Sequence, residues 1–237
     1  MKITSVECLV LDDEYPYVIL HTDEGFTGFG ECFRRAPYVS KVAVETLFAP
    51  LLLGKSPFDS EEIWDAMLKA GSVAGPTGAL LTAAAGVDLA LWDLKGKLLE
   101  QPDYRLLGGP SRESIDLYAT GDDLDWATEL GFGAFKITNP VHYREGIEGL
   151  NRLEQKIAEA RQHIGPDAEL MLNAVMSFSV EYAVQVAERL RPYHMRWLEE
   201  PLVPGDLEGH VELKRAVPWM PIATGEDHRG RHAFRQL

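Results

Sequence analysis

Residues 169–202 read ELMLNAVMSFSVEYAVQVAERLRPYHMRWLEEPL, and this stretch decides the fold. It opens on a short apolar run around Leu170, Met171 and Leu172, passes through an amphipathic segment from Val180 to Leu190, and closes on a second run at Trp197 and Leu198. A strand, a helix and another strand in this order form one crossover unit, and the two strands it joins lie parallel. Both apolar runs give way to polar residues at their ends, Asn173 in the first and Glu199-Glu200-Pro201 in the second.

The same alternation extends in both directions. Candidate strands are Ile115 to Ala119, Ala134 to Thr138, Glu169 to Val175, Arg196 to Leu202 and Pro221 to Thr224. Between them lie candidate helices near Trp126 to Leu130, Glu145 to His163, Val180 to Leu190 and Leu207 to Ala216. A parallel α/β sheet follows, either an open doubly wound sheet or a closed (β/α)₈ barrel. The first strand is not followed by Gly-x-Gly-x-x-Gly, which lowers the dinucleotide-binding form.

Upstream the texture differs. Lys2 to Val10, Tyr17 to Thr22 and Phe26 to Cys32 read as a three-stranded antiparallel meander, with Gly25, Gly28 and Gly30 marking tight backbone. Helical patterns follow over Val42 to Leu53, stopping at Gly54, and from a cap at Asp59 or Ser60 through Leu68. Thr77 to Leu99 is the strongest helix, with Ala83, Ala84, Val87, Leu91 and Leu94 on one face and Gly75-Pro76-Thr77 as its start signal. Gly86 and Gly96 inside it suggest close packing or a break near the second. Leu106-Leu107-Gly108-Gly109-Pro110 reads as the loop at a domain boundary.

The chemistry gathers where the later strands end. Asn173, Glu199 and Glu226 recur at intervals of 26 and 27 residues, about one βα unit each. Equal phase on successive parallel strands places them side by side at the carboxyl-terminal rim, where barrels of this kind keep their active sites. Three oxygen-bearing side chains suit a hard cation such as Mg²⁺. Without one, clustered carboxylates repel and one tends to protonate. Lys136 at the end of the second strand adjoins this set, as a binder of a substrate carboxylate, as a base if its pKa is lowered, or as a salt bridge closing the barrel end. Alternation along a strand turns Glu200 and Asp227 away as partners of the ligands and brings His228 back toward substrate. His142, His163, His194, His210 and His232 read as surface or structural residues.

Composition sets the outer limits. The 237 residues carry 23 basic and 37 acidic side chains, a net charge of −14, and no basic stripe, so nucleic acid and anionic membranes are not expected partners. No apolar run approaches the roughly 18 residues of a membrane span, and the start lacks a signal-peptide core. Cys8 and Cys32, the only two cysteines, exclude a disulfide framework and a four-thiolate zinc site, and favour a cytoplasmic setting.

These residues together resemble the enolase superfamily, and within it the mandelate racemase and muconate lactonizing enzyme group. The likeness is carried by Thr27-Gly28-Phe29-Gly30-Glu31, by the run from Gly86 through Asp88, Trp92, Asp93 and Lys95 to Lys97, by Leu106-Leu107-Gly108-Gly109, by Trp197-Leu198-Glu199-Glu200-Pro201 and by Gly225-Glu226. The resemblance implies an α+β capping domain, here residues 1–114, followed by an incomplete (β/α) barrel of about five βα units, residues 115–237. It implies Mg²⁺ held by residues ending strands three, four and five, abstraction of the α-proton of a carboxylate substrate, and an enediolate intermediate.

Finer similarity, from Gly146 to Asn151, at Met176-Ser177, from Tyr182 to Tyr193, from Glu208 to Arg215 and at Phe234-Arg235, points to sugar-acid dehydratases of the rhamnonate dehydratase type. Such a hydro-lyase acts on a small-molecule acid sugar, and its full-length relatives form homo-oligomers. The enzyme alternative keeps the superfamily and changes the outcome to racemisation, epimerisation or cycloisomerisation; Lys136-Ile137-Thr138 has one lysine where mandelate racemase-like members often carry Lys-x-Lys, which argues against a two-base racemase. Asn173 stands where the family has an aspartate. The family's histidine base lies on strands six and seven, beyond Leu237, and a barrel of about 250 residues would be cut in half here. A catalytically silent, truncated or degenerate member is therefore the expectation from another class.

Overall fold

A computed structural model describes residues 1–75 and 77–237, and the chain divides into two compact units, Met1–Glu113 with Arg229–Arg231, and Ser114–His228 with His232–Leu237. The first unit is built on strands β1 (Ile3–Leu11), β2 (Tyr15–Thr22) and β3 (Thr27–Glu31), an antiparallel sheet in the order β1-β2-β3. Pro16, Val18, Leu20 and Thr22 alternate inward along β2 while their neighbours face out. Asp12 and Asp13, at φ 49° and 55°, make the β1–β2 turn, a conformation that matches the twist of a hairpin and that aspartate tolerates.

Helix α1 (Pro37–Val42) runs directly into a π-helical stretch, Ala43–Phe48, and then α2 (Ala49–Leu52). Pro50 has no N–H to give, and just before it the Ala49 N–H reaches back five residues to the Val44 carbonyl, widening the turn. Helices α3 (Ser60–Gly71), α4 (Ala79–Leu99) and α5 (Asp103–Leu106) complete the unit. Helix α4 starts two residues later than the sequence suggests, after Gly78 at φ 111°; of the expected start signal, Pro76 lies outside the described residues. Gly96 does not break α4, because its open flank is filled by Asp103 and the Gln101 carbonyl. The core between sheet and helices includes Val18, Leu20, Phe48, Leu52, Ile63, Met67, Val87, Leu91 and Leu94.

Sheet and α4 meet backbone to backbone. A methyl group on Gly30 would stand 2.0 Å from the Gly86 carbonyl oxygen and 2.6 Å from the Ala90 nitrogen, and one on Gly28 would stand 2.3 Å from the Ala90 carbonyl oxygen. Helical side chains also occupy both rims of the sheet. On β1, Cys8 N–H donates to Glu45 and Lys41 donates to the Cys8 carbonyl, while Lys41 and Glu45 pair at 2.5 Å. On β3, Phe29 N–H donates to Asp93 and Lys97 donates to the Thr27 carbonyl, while Lys97 and Asp93 pair at 2.6 Å.

The second unit alternates β4 (Ala119–Thr120), α6 (Leu124–Glu129), β5 (Ala134–Thr138), α7 (Gly146–Ile164), β6 (Glu169–Asn173), α8 (Val180–Leu190), β7 (Met195–Glu199), α9 (Leu207–Ala216) and β8 (Ile222–Ala223). The five strands are parallel and in sequential order, as five βα steps of a barrel require. Asp123, Ser179 and Asp206 cap α6, α8 and α9 by accepting from backbone N–H groups of the first turn. Phe135, Ile137, Leu170, Leu172 and Leu198 point to the helical layer and form its core with Leu153, Ile157, Ala183, Val186 and Leu213.

The strands are shorter than the sequence pattern predicts. Ile115 and Leu117 are exposed and form no ladder, leaving β4 two residues long. β6 stops at Asn173 because Val175 and Met176 take φ 49° and 57°, and β7 stops at Glu199 because Glu200 takes φ 41° and Pro201 follows. Among the described residues no helix is long and apolar enough to cross a membrane.

Asp122, between β4 and α6, ties the start of the sheet together. Its carboxylate accepts from the Thr138 N–H at 3.0 Å and hydroxyl at 2.5 Å, and pairs with Lys156 at 3.0 Å. Burial pushes its pKa up, but Thr138 and Lys156 outweigh this and hold it below the usual aspartate range. A folded-state pKa below the unfolded one stabilises the fold above the unfolded value and is lost as pH falls through the folded value. Asp122→Asn is therefore expected to lose about 1 kcal/mol at neutral pH, a figure kept low because the side chain is half exposed. In urea unfolding series the gap should narrow as pH falls below the ordinary aspartate value, about 3.9; a gap independent of pH would refute the assignment.

Candidate functional site

Parallel register aligns the strand ends. Thr138 pairs with Asn173, Asn173 with Glu199, and Glu199 with Ala223, while Lys136 pairs with Met171 two residues earlier. Because side chains alternate, Lys136, Met171, Asn173, Trp197 and Glu199 all project from the face opposite the helical core. The sheet thus brings Lys136, Asn173 and Glu199 to one rim, as their spacing suggests.

Lys136 and Glu199 form a buried ion pair, Nζ to Oε1 2.5 Å, with side chains 11% and 10% exposed. The other carboxylate oxygen, Oε2, accepts from the Trp197 indole N–H at 3.0 Å. Tyr118 covers Lys136, its ring 5.2 Å from Nζ, and meets the Trp197 ring edge-on at 5.5 Å. Burial pulls the Lys136 pKa down, but the hydrogen bond and charge of Glu199 outweigh it and hold the ammonium above the usual lysine range. Of the three alternatives that the sequence leaves open for Lys136, the salt bridge is the one observed here.

Asn173 turns its Oδ1 to the Val175 N–H at 2.9 Å, leaving a second lone pair on that oxygen. Glu226 lies three residues beyond β8, in a turn. Burial raises its pKa first, and the neighbouring charges of Glu199, Glu200 and Asp227 raise it further, against a smaller opposing pull from Lys136. Among the described residues no three His, Cys, Asp or Glu side chains stand together as a metal-binding group. The oxygens available come from one amide and two carboxylates, Asn173, Glu199 and Glu226, a donor chemistry that suits a hard divalent cation.

Two sequence expectations need correction here. Asp227 and His228 do not alternate along a strand, because β8 ends at Ala223, Gly225 takes φ 124° and residues 226 and 227 form a turn. His228 instead leaves its Nδ1 buried without a hydrogen-bond partner among the described residues, its ring 6.3 Å from that of Phe234. Sequence reasoning also missed Trp197 and Tyr118. Trp197 was discoverable, since a residue two before Glu199 on a strand must share its face. Tyr118 was not, because it precedes the short β4 and its position depends on how the edge folds over.

Residues 6–108 match the family model described as mandelate racemase / muconate lactonizing enzyme, N-terminal domain, and residues 122–237 match that described as enolase C-terminal domain-like. The L-rhamnonate dehydratase of Saccharopolyspora erythraea is 39% identical over 221 residues, which is 93% of this chain and 56% of the relative. A crystal structure of rhamnonate dehydratase from Gibberella zeae complexed with Mg aligns at a TM-score of 0.90 and 32% identity, over 94% of this chain and 54% of that one. The 3,6-anhydro-D-galactonate cycloisomerase from Zobellia galactanivorans aligns at 0.85 and 30% identity, over 100% of this chain and 68% of that one. The chain spans about half the length of the curated relatives it matches. On these matches and this fold, the chain belongs to the mandelate racemase and muconate lactonizing enzyme group of the enolase superfamily.

Proposed function

We propose that the protein serves in the Mg²⁺-dependent dehydration of an acid sugar, with Asn173, Glu199 and Glu226 as the protein ligands of the metal. What supports this reading is the register that sets Asn173 beside Glu199 at the ends of β6 and β7, with Glu226, in the turn after β8, near enough to feel the Glu199 charge. The similarity to a rhamnonate dehydratase solved with Mg supports it. In such a reaction a general base takes the proton beside the carboxylate, the β-hydroxyl takes up a proton and departs as water, and the enol tautomerises to a 2-keto-3-deoxy acid. Bound Mg²⁺ would supply a Lewis acid for charge developing on the substrate carboxylate.

Each residue has a part this geometry allows. Lys136, kept protonated by Glu199, binds negative charge rather than removing a proton. Trp197 and Lys136 fix the Glu199 carboxylate from both oxygens, so it presents the remaining lone pairs in one orientation. The test is incubation of the purified protein with L-rhamnonate and a panel of other acid sugars in the presence of Mg²⁺. A 2-keto-3-deoxy product is expected, together with Mg²⁺ binding by calorimetry; failure of Mg²⁺ to bind at millimolar concentration would overturn the reading.

A second reading, a non-catalytic member that binds metal or acid sugar, is favoured by Asn173. With an amide there, the three ligands carry a charge of −2 rather than −3. Asn173→Asp keeps the acceptor for Val175 N–H and adds a charge, so Mg²⁺ should bind roughly tenfold more tightly, a gain of about 1.4 kcal/mol. An unchanged Kd in calorimetry would count against Asn173 as a ligand. Metal binding without any acid-sugar turnover would select the second reading.

A further inference from the structure

Glu200 is fully buried, and among the described residues its carboxylate forms no ion pair with a lysine or arginine. Its charge is met instead by three donors from one short loop. Oε1 accepts from the Gly225 N–H at 2.6 Å and the Glu226 N–H at 3.2 Å, and Oε2 accepts from the Thr224 hydroxyl at 3.1 Å. Successive N–H groups aimed at one oxygen form a small anion nest, and Gly225 at φ 124° supplies the backbone turn that lets them converge. The main chain of Glu200 is fastened on both sides as well, its N–H to the Ala223 carbonyl at 2.8 Å and its carbonyl to the Met176 N–H at 2.7 Å. Glu200 therefore sits at a junction, tied at once to the loop after β6 and the loop after β8.

Burying a carboxylate among neutral donors is costly, and a packed apolar side chain would often fill such a place at less cost. A charge kept there needs a use that an apolar residue lacks. Charge-assisted bonds to Gly225 and Glu226 fix the backbone of the residue whose side chain is the third rim oxygen. We propose that Glu200 is a positioning residue: it clamps residues 224–226 so that Glu226 is held toward Asn173 and Glu199. The proposal rests on the reading of Glu226 as a metal ligand, and it predicts that loosening the clamp weakens the metal site without unfolding the sheet.

The experiment uses the full chain with Glu200→Gln, which keeps the shape but gives up one acceptor oxygen, and Thr224→Val, which removes one bond while leaving the carboxylate in place. Hydrogen exchange of the Gly225 and Glu226 amides, thermal melting and Mg²⁺ calorimetry are read together. Both variants should melt close to the parent and should bind Mg²⁺ at least tenfold and about threefold more weakly, respectively. Amide exchange at 225 and 226 should accelerate about tenfold in Glu200→Gln while exchange in β6 stays unchanged.

Weaker Mg²⁺ binding with unaltered amide exchange would overturn the clamp in favour of a simple charge effect. Faster exchange with unaltered Mg²⁺ affinity would show a loop tie that does not serve the site, which also overturns it. If Glu200→Gln fails to fold, Thr224→Val decides by the same two readouts. If the parent binds no Mg²⁺, the metal reading has failed by itself, and the exchange arm still separates a clamp from its absence.

Discussion

Gly30→Ala is expected to unfold the first unit or to lower its melting point by well over ten degrees. The added methyl group meets the Gly86 carbonyl oxygen at 2.0 Å, the Ala90 nitrogen at 2.6 Å and the Leu89 Cβ at 2.9 Å. Two of these are main-chain atoms of α4, which cannot swing aside as a side chain does. Relief requires the helix to lift off β3 along much of its length, opening the core that holds Val87, Leu91 and Leu94. Overpacking ordinarily costs about 1–3 kcal/mol, and this site, with no soft neighbour, belongs at or above the top of that range. For a unit of this size each kcal/mol moves the midpoint by roughly 4–8 °C. Gly133→Ala is the control, since the space beside it is open. Should Gly30→Ala melt within two or three degrees of the parent, the close approach of sheet and helix would have to be discarded.

The second large effect is expected for Lys136→Met. Methionine fills much of the volume but leaves Glu199 buried with the Trp197 N–H as its remaining side-chain donor. Removing one partner of a buried pair typically costs about 3–5 kcal/mol, because the other charge stays behind uncompensated. The loss should be flat across neutral pH: a lysine pKa raised by folding contributes fully below its unfolded value, near 10.4, and the contribution fades only as pH rises through the folded value. Mg²⁺ makes the prediction specific. A cation on Glu199 can replace the missing ammonium, so Mg²⁺ should raise the melting point of Lys136→Met more than that of the parent, by linkage of binding to folding. Equal Mg²⁺ shifts in both proteins would mean that the metal and Lys136 do not share Glu199.

Much of the second unit could be read from local pattern. Helices at Val180–Leu190 and Leu207–Ala216 coincide with their sequence expectation because Ser179 and Asp206 announce them by capping and apolar periodicity sustains them. Glu199 and Asn173 meet because parallel register converts equal phase into adjacency. Legibility fails where the backbone leaves the strand. Val175, Met176 and Glu200 adopt left-handed conformations that their side chains give no reason to expect, so alternation carried past Ala223 misplaced Asp227 and His228. The state of Lys136 was equally hidden. Burial and a carboxylate partner pull its pKa in opposite directions, and a sequence does not say which one wins. The π-helical stretch before Pro50 is a milder instance, since proline announces a disturbance but not the form it takes.

The two rims of the three-stranded sheet have a consequence for how this molecule behaves in a crowd. A sheet edge normally offers its main chain to any extended segment that passes, including a half-folded neighbour. Here Lys41 with Glu45, and Asp93 with Lys97, already hold the groups such a strand would seek. An intruder must evict a formed ion pair before gaining its first main-chain bond, so the meander resists seeding by its own unfinished copies. That matters most while the polypeptide is emerging and locally concentrated, and it makes these four charged side chains guardians of yield rather than of activity.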